Sequence, residues 1–361
     1  MQSETALLWW WLNILDFRRY NALKERFGDL DEARKAMSPA LLRDLRLKEE
    51  TVAGVLERLG AFKPERYLFE MARRKIHFLT IEDERYPASL KAIGDPPVFL
   101  SAIGNFDALK LPMLAIVGTR AMSRYGQRIT ETFVPVLSRS GLTTVSGLAL
   151  GVDAEVAKQT LEAGGMTVAV LGHGLARIYP PANTKLSEEI VQKGGLLLSE
   201  FPLEVPPDKY TFPARNRIIA GLSMATVLCE APEGSGSIIT AELALEYGRD
   251  VFAVPGQIFD PNFAGNHRLI ATGQARLAQS PDDILLELGF VTGGRTTGRR
   301  DYVPQTDDED RVYHLLTAMP RSLDELVEES ELGISQVGVA LTMMELAGAA
   351  RSVEGGQWIR T

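Results

Sequence analysis

The chain of 361 residues has one cysteine, four histidines and no long apolar run. A lone cysteine, Cys229, cannot close an internal disulfide, so nothing calls for an oxidising compartment and a cytoplasmic location is expected. His77, His173, His267 and His314 lie far apart, without the local spacing of metal ligands, so no metal site is expected. The most apolar N-terminal stretch, Leu7 to Leu15, is about half the ~20 residues a membrane-spanning helix needs, and it follows Glu4 instead of a basic segment. Neither a signal peptide nor a membrane anchor is expected. Positive charge is also scarce: 39 Lys and Arg stand against 47 Asp and Glu, a net charge of -8, which on its face argues against a nucleic-acid partner.

That deficit is unevenly spread. Residues 305–361 hold 11 acidic residues and 4 arginines, so most of the acidity belongs to the tail and the remainder is near neutral. Any affinity for DNA must then come from a focused cluster of cations with backbone amides, not from a diffuse positive field. With 45% hydrophobic and 24% charged residues the composition is that of a folded protein, and the length predicts two or three domains.

Residues 1–60 alternate apolar and charged positions at helical spacing, with breaks at Gly28-Asp29, Ser38-Pro39 and Gly60, and predict a small helical domain. Within it, Trp9-Trp10-Trp11 cover most of a helix circumference, which favours packing inside the bundle over stacking on DNA. Residues 61–110 form a connector with two strand candidates, Ile76 to Ile81 and Val98 to Ile103. From 111 to 290 short apolar runs alternate with helical stretches, the signature of βα units. Strands are expected at Met113 to Val117, Leu142 to Ser146, Met166 to Leu171, Leu196 to Ser199, Ala225 to Cys229 and Asp250 to Val254. The expected fold class is α/β, a Rossmann-like, doubly wound and mostly parallel sheet. Residues 291–308, rich in Gly and Thr, read as a flexible linker. Residues 309–361, with three helical stretches and a hairpin, read as a winged-helix-like domain.

In open α/β sheets ligands bind at the carboxyl ends of the strands, near the point where strand order reverses. Gly118-Thr119-Arg120, Ser146-Gly147-Leu148, Gly172-His173-Gly174 and Glu230-Ala231 all follow expected strands directly. Glycine there allows close backbone approach, and the helix that follows offers free N–H groups to anions. The Gly/Ser loop of Gly234, Ser235, Gly236 and Ser237 opens a helix but lacks the Gly-Lys-Ser/Thr ending of a triphosphate-binding loop. The first strand also lacks the Gly-x-Gly-x-x-Gly dinucleotide spacing, so no cofactor is expected. Alternatively, these glycines only make tight turns. Lys209, Phe212, Arg215, Asn216 and Arg217 group cations beside an aromatic, as single-strand binding requires, unless they form a solvated helix start with Phe212 in the core. Asp153, Glu200, Glu230, Glu233 and Glu242 fall at the same edge, where capping helices and holding arginines are their expected tasks. No nucleophile is paired with His173, the one candidate base.

The central region resembles the DNA-processing protein A (DprA/Smf) family. The resemblance is carried by Ala115-Ile-Val-Gly-Thr-Arg120, Ser146-Gly-Leu-Ala149 with Gly151-Val-Asp153, Ser199-Glu-Phe-Pro202, Phe212-Pro-Ala-Arg-Asn-Arg-Ile-Ile-Ala-Gly-Leu-Ser223, Ser235-Gly-Ser237 and Gly248-Arg-Asp-Val-Phe-Ala-Val-Pro-Gly256, in order through about 180 residues. The chain departs from the usual family pattern at Ala157 and at Asn266, which falls one position early. The resemblance implies a non-enzymatic homodimer that binds incoming single-stranded DNA during natural transformation, shields it and loads RecA recombinase onto it. It implies Arg120, Lys209, Phe212, Arg215, Asn216, Arg217 and Ser235 to Ser237 as DNA contacts, to which the reading of the strand ends and the Gly/Ser loop adds Gly118 and Gly234. The alternative is an enzyme processing a nucleotide or phosphoribosyl compound, because Gly234-Ser-Gly-Ser with Glu242 is similar to a turn of lysine-decarboxylase-like phosphoribohydrolases. In the tail, the expected recognition helix Ser335 to Leu346 contains no Lys or Arg, so a protein-contact or regulatory module is expected there, not a duplex reader.

Overall fold

A computed structural model describes residues 4–290, 304–317, 321–347, 349–353 and 356–360. Strands form where consecutive residues are apolar, because a parallel sheet covered on both faces leaves no strand position in water. All five residues of Met113–Val117 are buried, as are all four of Thr143–Ser146, Thr167–Val170, Leu196–Ser199 and Ala225–Leu228. In chain order the strands are β1 (His77–Thr80), β2 (Phe99–Gly104), β3 (Met113–Val117), β4 (Thr143–Ser146), β5 (Thr167–Val170), β6 (Leu196–Ser199), β7 (Ala225–Leu228), β8 (Asp250–Ala253) and β9 (Arg276–Leu277). They form one nine-stranded sheet in the order β1-β2-β6-β5-β4-β3-β7-β8-β9. From β6 across to β9 every pairing is parallel, while β2 and β1 extend the far edge antiparallel. Successive connections step from β3 to β6 in one direction and from β7 to β9 in the other. The order therefore reverses between β3 and β7, and crevices open at their carboxyl ends.

Two apolar clusters cover the faces. One lies against the helix Arg124–Arg139, with Ile129, Phe133 and Leu137 meeting Leu114, Ile116 and Val227. The other joins the helices Thr211–Leu222 and Gly236–Glu246 to the sheet and continues into the N-terminal helices. Trp9 and Trp10 are fully buried, and Trp10 packs, tilted, at 5.0 Å against Phe78 of β1 while its indole N–H donates to the Glu200 carbonyl at 2.7 Å. No break in packing follows residue 60, and residues 4–290 make one compact unit.

The second unit has its own core of Val312, Leu316, Leu326, Val337, Leu341 and Met344. It contains helices Asp307–Leu315, Leu323–Ser330 and Ile334–Leu346 and a small sheet of β10 (Arg321–Ser322), β11 (Ala350–Val353) and β12 (Gln357–Arg360), in the order β10-β12-β11. This is a winged-helix arrangement. The linker expected over 291–308 lies, as far as residue 303, outside the described residues.

Candidate nucleic-acid interface

The turn after β3 is locked by backbone contacts. Thr119 N–H donates to the Glu230 carbonyl at 2.7 Å, and a Cβ on Gly118 would collide with that carbonyl and with Val152. Gly151, at φ +76°, presses against the Thr119 and Arg120 backbone from the other side, a position only glycine fills without strain. The buried Glu230 carboxylate accepts from the Ser123 amide and hydroxyl, fixing the cap of the helix Arg124–Arg139. The result is a rigid turn that projects one exposed side chain, Arg120. Its guanidinium lies 4.8 Å above the Phe212 ring, and no carboxylate among the described residues pairs with it.

Hollows open on both sides of this cation–ring pair. The larger, about 430 Å³, runs from Arg120 and Phe212 to the Gly/Ser loop, with Gly118, Asn216, Gly234, Ser235, Gly236 and Ser237 on its wall. Gly234 takes φ +76°, and Ser235 caps the helix Gly236–Glu246 by accepting from Ser237 N–H, so the helix start faces the hollow. The smaller, about 60 Å³, lies between Phe212, Tyr179 and His173. Tyr179, 45% exposed, stands 6.2 Å from the Phe212 ring. The sequence analysis did not single out Tyr179 for binding, although Tyr179-Pro180 follows β5 within ten residues of its end and so lies at the correct edge. A third hollow of about 460 Å³, at the junction of the N-terminal helices with β1, has its cations already matched: Lys24 pairs with Glu82 and Arg85 with Asp83.

The four cations expected to act together part company. Arg215 is buried: its guanidinium donates to the Gly147 carbonyl at 2.6 Å and to the Val170 carbonyl, and its Nε donates to Asn216 Oδ1. Burial lowers the Arg215 guanidinium to about 10 against the attraction of Asp153, and burial pushes the Asp153 carboxyl up. Asp153 in turn accepts from the Gly147 amide at 3.1 Å. Arg215 therefore ties together the ends of β4 and β5, with only its edge reaching the hollow, while Asn216 Nδ2 holds the Gly/Ser loop through the Gly236 carbonyl at 3.1 Å. Arg217 lies outside the hollow, its side chain 16% exposed and clamped by Glu200 and by Asp95 at 3.6 Å. Lys209 is exposed and rests on the Tyr210 ring at 4.9 Å, in the turn that Asp208 and Thr211 close before the helix begins.

Catalytic chemistry finds little here. Both His173 nitrogens are engaged, Nδ1 with the Gly174 carbonyl at 2.9 Å and Nε2 with the Tyr179 amide at 3.3 Å. Glu242 pairs with Arg268 and does not line the hollow. Burial pushes the Cys229 thiol up to about 12, where it is inert. Among the described residues no group of three His, Cys, Asp or Glu is placed to hold a metal ion, and no helix is long and apolar enough to cross a membrane. Asn266, the asparagine displaced by one position from the family pattern, is fully buried. Its amide donates to the Leu228, Cys229 and Val254 carbonyls and accepts from Ala231 N–H, pinning the ends of β7 and β8.

The chain matches the profile of the DNA recombination-mediator protein A family over residues 77–289 and that of the DprA winged helix domain over 299–356. It is 39% identical to the Smf protein of Escherichia coli over 286 residues, 78% of this chain and 76% of that one. It is 35% identical to the Smf protein of Synechocystis, with 94% of each chain covered. Among solved structures, the DNA processing protein A of Streptococcus pneumoniae superposes with a TM-score of 0.61 at 36% identity, over 76% of this chain and 99% of that one. The protein from Helicobacter pylori, whose structure concerns its single-stranded DNA binding mode, superposes with a TM-score of 0.53 at 32% identity, over 59% of this chain and 95% of that one. Fold, edge geometry and sequence thus agree that the chain belongs to the DprA/Smf family of DNA-processing recombination mediators.

Proposed function

We propose that this protein binds single-stranded DNA along the sheet edge centred on Arg120 and Phe212 and, as a cytoplasmic homodimer, shields incoming DNA and loads RecA recombinase onto it during natural transformation. The observation that carries the reading is the Arg120–Phe212 pair standing between two hollows at the point where strand order reverses. An unpaired guanidinium takes a phosphate, the ring takes a base face of any sequence, and the Gly/Ser loop at a helix start supplies amides to the next phosphate. Gly118, Asn216 and Gly234 to Ser237 shape the wall. Lys209 contributes a peripheral charge, Arg215 supports the floor, and Arg217, expected from the sequence as a direct contact, acts through the fold. The role is mediation without catalysis: the enzymatic alternative needs Glu242 in the cleft, and Glu242 is engaged with Arg268 outside it.

A gel-shift series with single- and double-stranded oligonucleotides at two salt concentrations tests the reading. Wild type is expected to prefer single strands, with log K falling by ~0.7 per phosphate neutralised for each tenfold rise in salt. Arg120→Ala is expected to weaken binding for all sequences. Equal binding by wild type and Arg120→Ala would reject the site. Mediation is read separately, as faster RecA assembly on strands coated by the protein.

A further inference from the structure

Beside the cleft, the first turns of the helix Arg124–Arg139 carry a second group of the same chemistry. Arg124 and Arg128 are four residues apart, hence on one helix face; both are exposed, and neither has a carboxylate partner among the described residues. Between them in sequence, Tyr125 is half exposed, and its hydroxyl donates to the Pro255 carbonyl at 3.2 Å. That bond anchors the loop that leaves β8. The base of the loop is fixed further: the Gly256 backbone packs so closely on Phe263 that a Cβ would collide, and Phe263 lies 5.4 Å from the Tyr125 ring. Beyond this fixed base the loop holds two adjacent large apolar side chains in water, Ile258 at 78% and Phe259 at 91% exposure.

Single exposed apolar residues are ordinary. An adjacent pair on an anchored loop, next to two unpaired arginines at the same sheet edge as the cleft, is a different arrangement. β8 is separated from β3 by β7 alone, so the loop begins about 10 Å from the turn that carries Arg120. The helix and the loop, joined by the Tyr125–Pro255 bond, together offer exposed cations and a free ring, the two kinds of group that Arg120 and Phe212 combine in direct contact.

We infer that the single strand does not end at the cleft but continues over this face, with Arg124 and Arg128 on its phosphates and Phe259 stacking a base. This extension rests on the single-strand reading of the cleft. It predicts that affinity grows with strand length and that the growth depends on residues the cleft does not use.

The test is fluorescence anisotropy with oligothymidylates of about 6 and about 20 nucleotides, one near the lower end of common single-strand site sizes and one beyond their upper end. Wild type, Phe259→Ser, the double variant Arg124→Ala/Arg128→Ala and Arg120→Ala are compared, with thermal melting to confirm equal folding. Phe259→Ser is expected to bind the long strand about fivefold more weakly, the lower bound of base stacking on a ring, and the short strand unchanged. The double variant is expected to lower the salt slope for the long strand by about 1.4, two phosphates' worth. If both variants bind the long strand like wild type while Arg120→Ala is impaired, the extension is wrong and the cleft reading stands. If Arg120→Ala is also unimpaired, the cleft reading itself fails. A Phe259→Ser protein that keeps its DNA affinity but changes its mass in sedimentation would make the loop a protein contact and overturn the proposal.

Discussion

The sheet edge and the C-terminal winged-helix unit each present a helix start behind a tight turn, yet their surfaces have opposite chemistry. At the sheet edge, Arg120, Phe212 and the Gly/Ser loop offer a cation, a ring and free amides. In the C-terminal unit the helix Ile334–Leu346, which would be the recognition helix, exposes Ile334, Val339, Met343 and Leu346 and carries no Lys or Arg. A winged-helix fold alone therefore does not supply a DNA-reading surface, and a net charge of -8 does not exclude one. What counts is whether a few charges are left unpaired at a place a strand can reach.

The same contrast holds between two arginines of the sheet edge itself. Arg120 and Arg215 both belong to motifs that look like phosphate contacts, but Arg120 is exposed and unpaired while Arg215 is sunk among backbone carbonyls. The sharpest way to break this distinction is to remove each. Arg215→Ala leaves the buried Gly147 and Val170 carbonyls without their donor, and urea unfolding is expected to show a loss of about 2–4 kcal/mol. Arg120→Ala, on the surface, is expected to change stability by less than about 0.5 kcal/mol. It is expected to weaken single-strand binding about 10- to 100-fold, the worth of one charge-assisted contact. Phe212→Ala is expected to lose less, toward the low end of ~1–3 kcal/mol, with little change in salt slope because no charge is removed. Deleting residues 291–361 is expected to leave single-strand affinity unchanged or slightly higher, since this removes an acidic unit; a clear loss in gel shifts would transfer part of the binding to that unit. The smallest effect concerns Cys229, whose thiol is expected to resist alkylation in the native protein and react on unfolding, a convenient check that each variant is folded.

These residues also mark how far the sequence could be read. β3 through β8 were legible because strands buried on both faces must be apolar at consecutive positions. β9 and the helices Ala264–Ala271 and Pro281–Glu287 were not: β9 is two exposed residues, Arg276 and Leu277, with no apolar run to announce it. The edge carrying the candidate site was legible from glycines and serines directly after strands. The fate of each arginine was not, because it depends on partners distant in sequence. Arg215 is fixed by Gly147 and Val170, 68 and 45 residues away, and Arg217 reaches back to Asp95. Charges that the sequence groups together thus separate into a buried tie at Arg215, a clamped Arg217 and an exposed Arg120 only when the chain folds.

On the proposed reading, DNA affinity resides in the exposed, unpaired Arg120 and not in the Arg215-Asn216-Arg217 run. Titrating one labelled oligothymidylate into Arg120→Ala and Arg217→Ala, both below their melting temperatures, tests it most directly. A collapse of affinity is expected for Arg120→Ala and near wild-type binding for Arg217→Ala; the reverse pattern in folded proteins would contradict the assignment of Arg120.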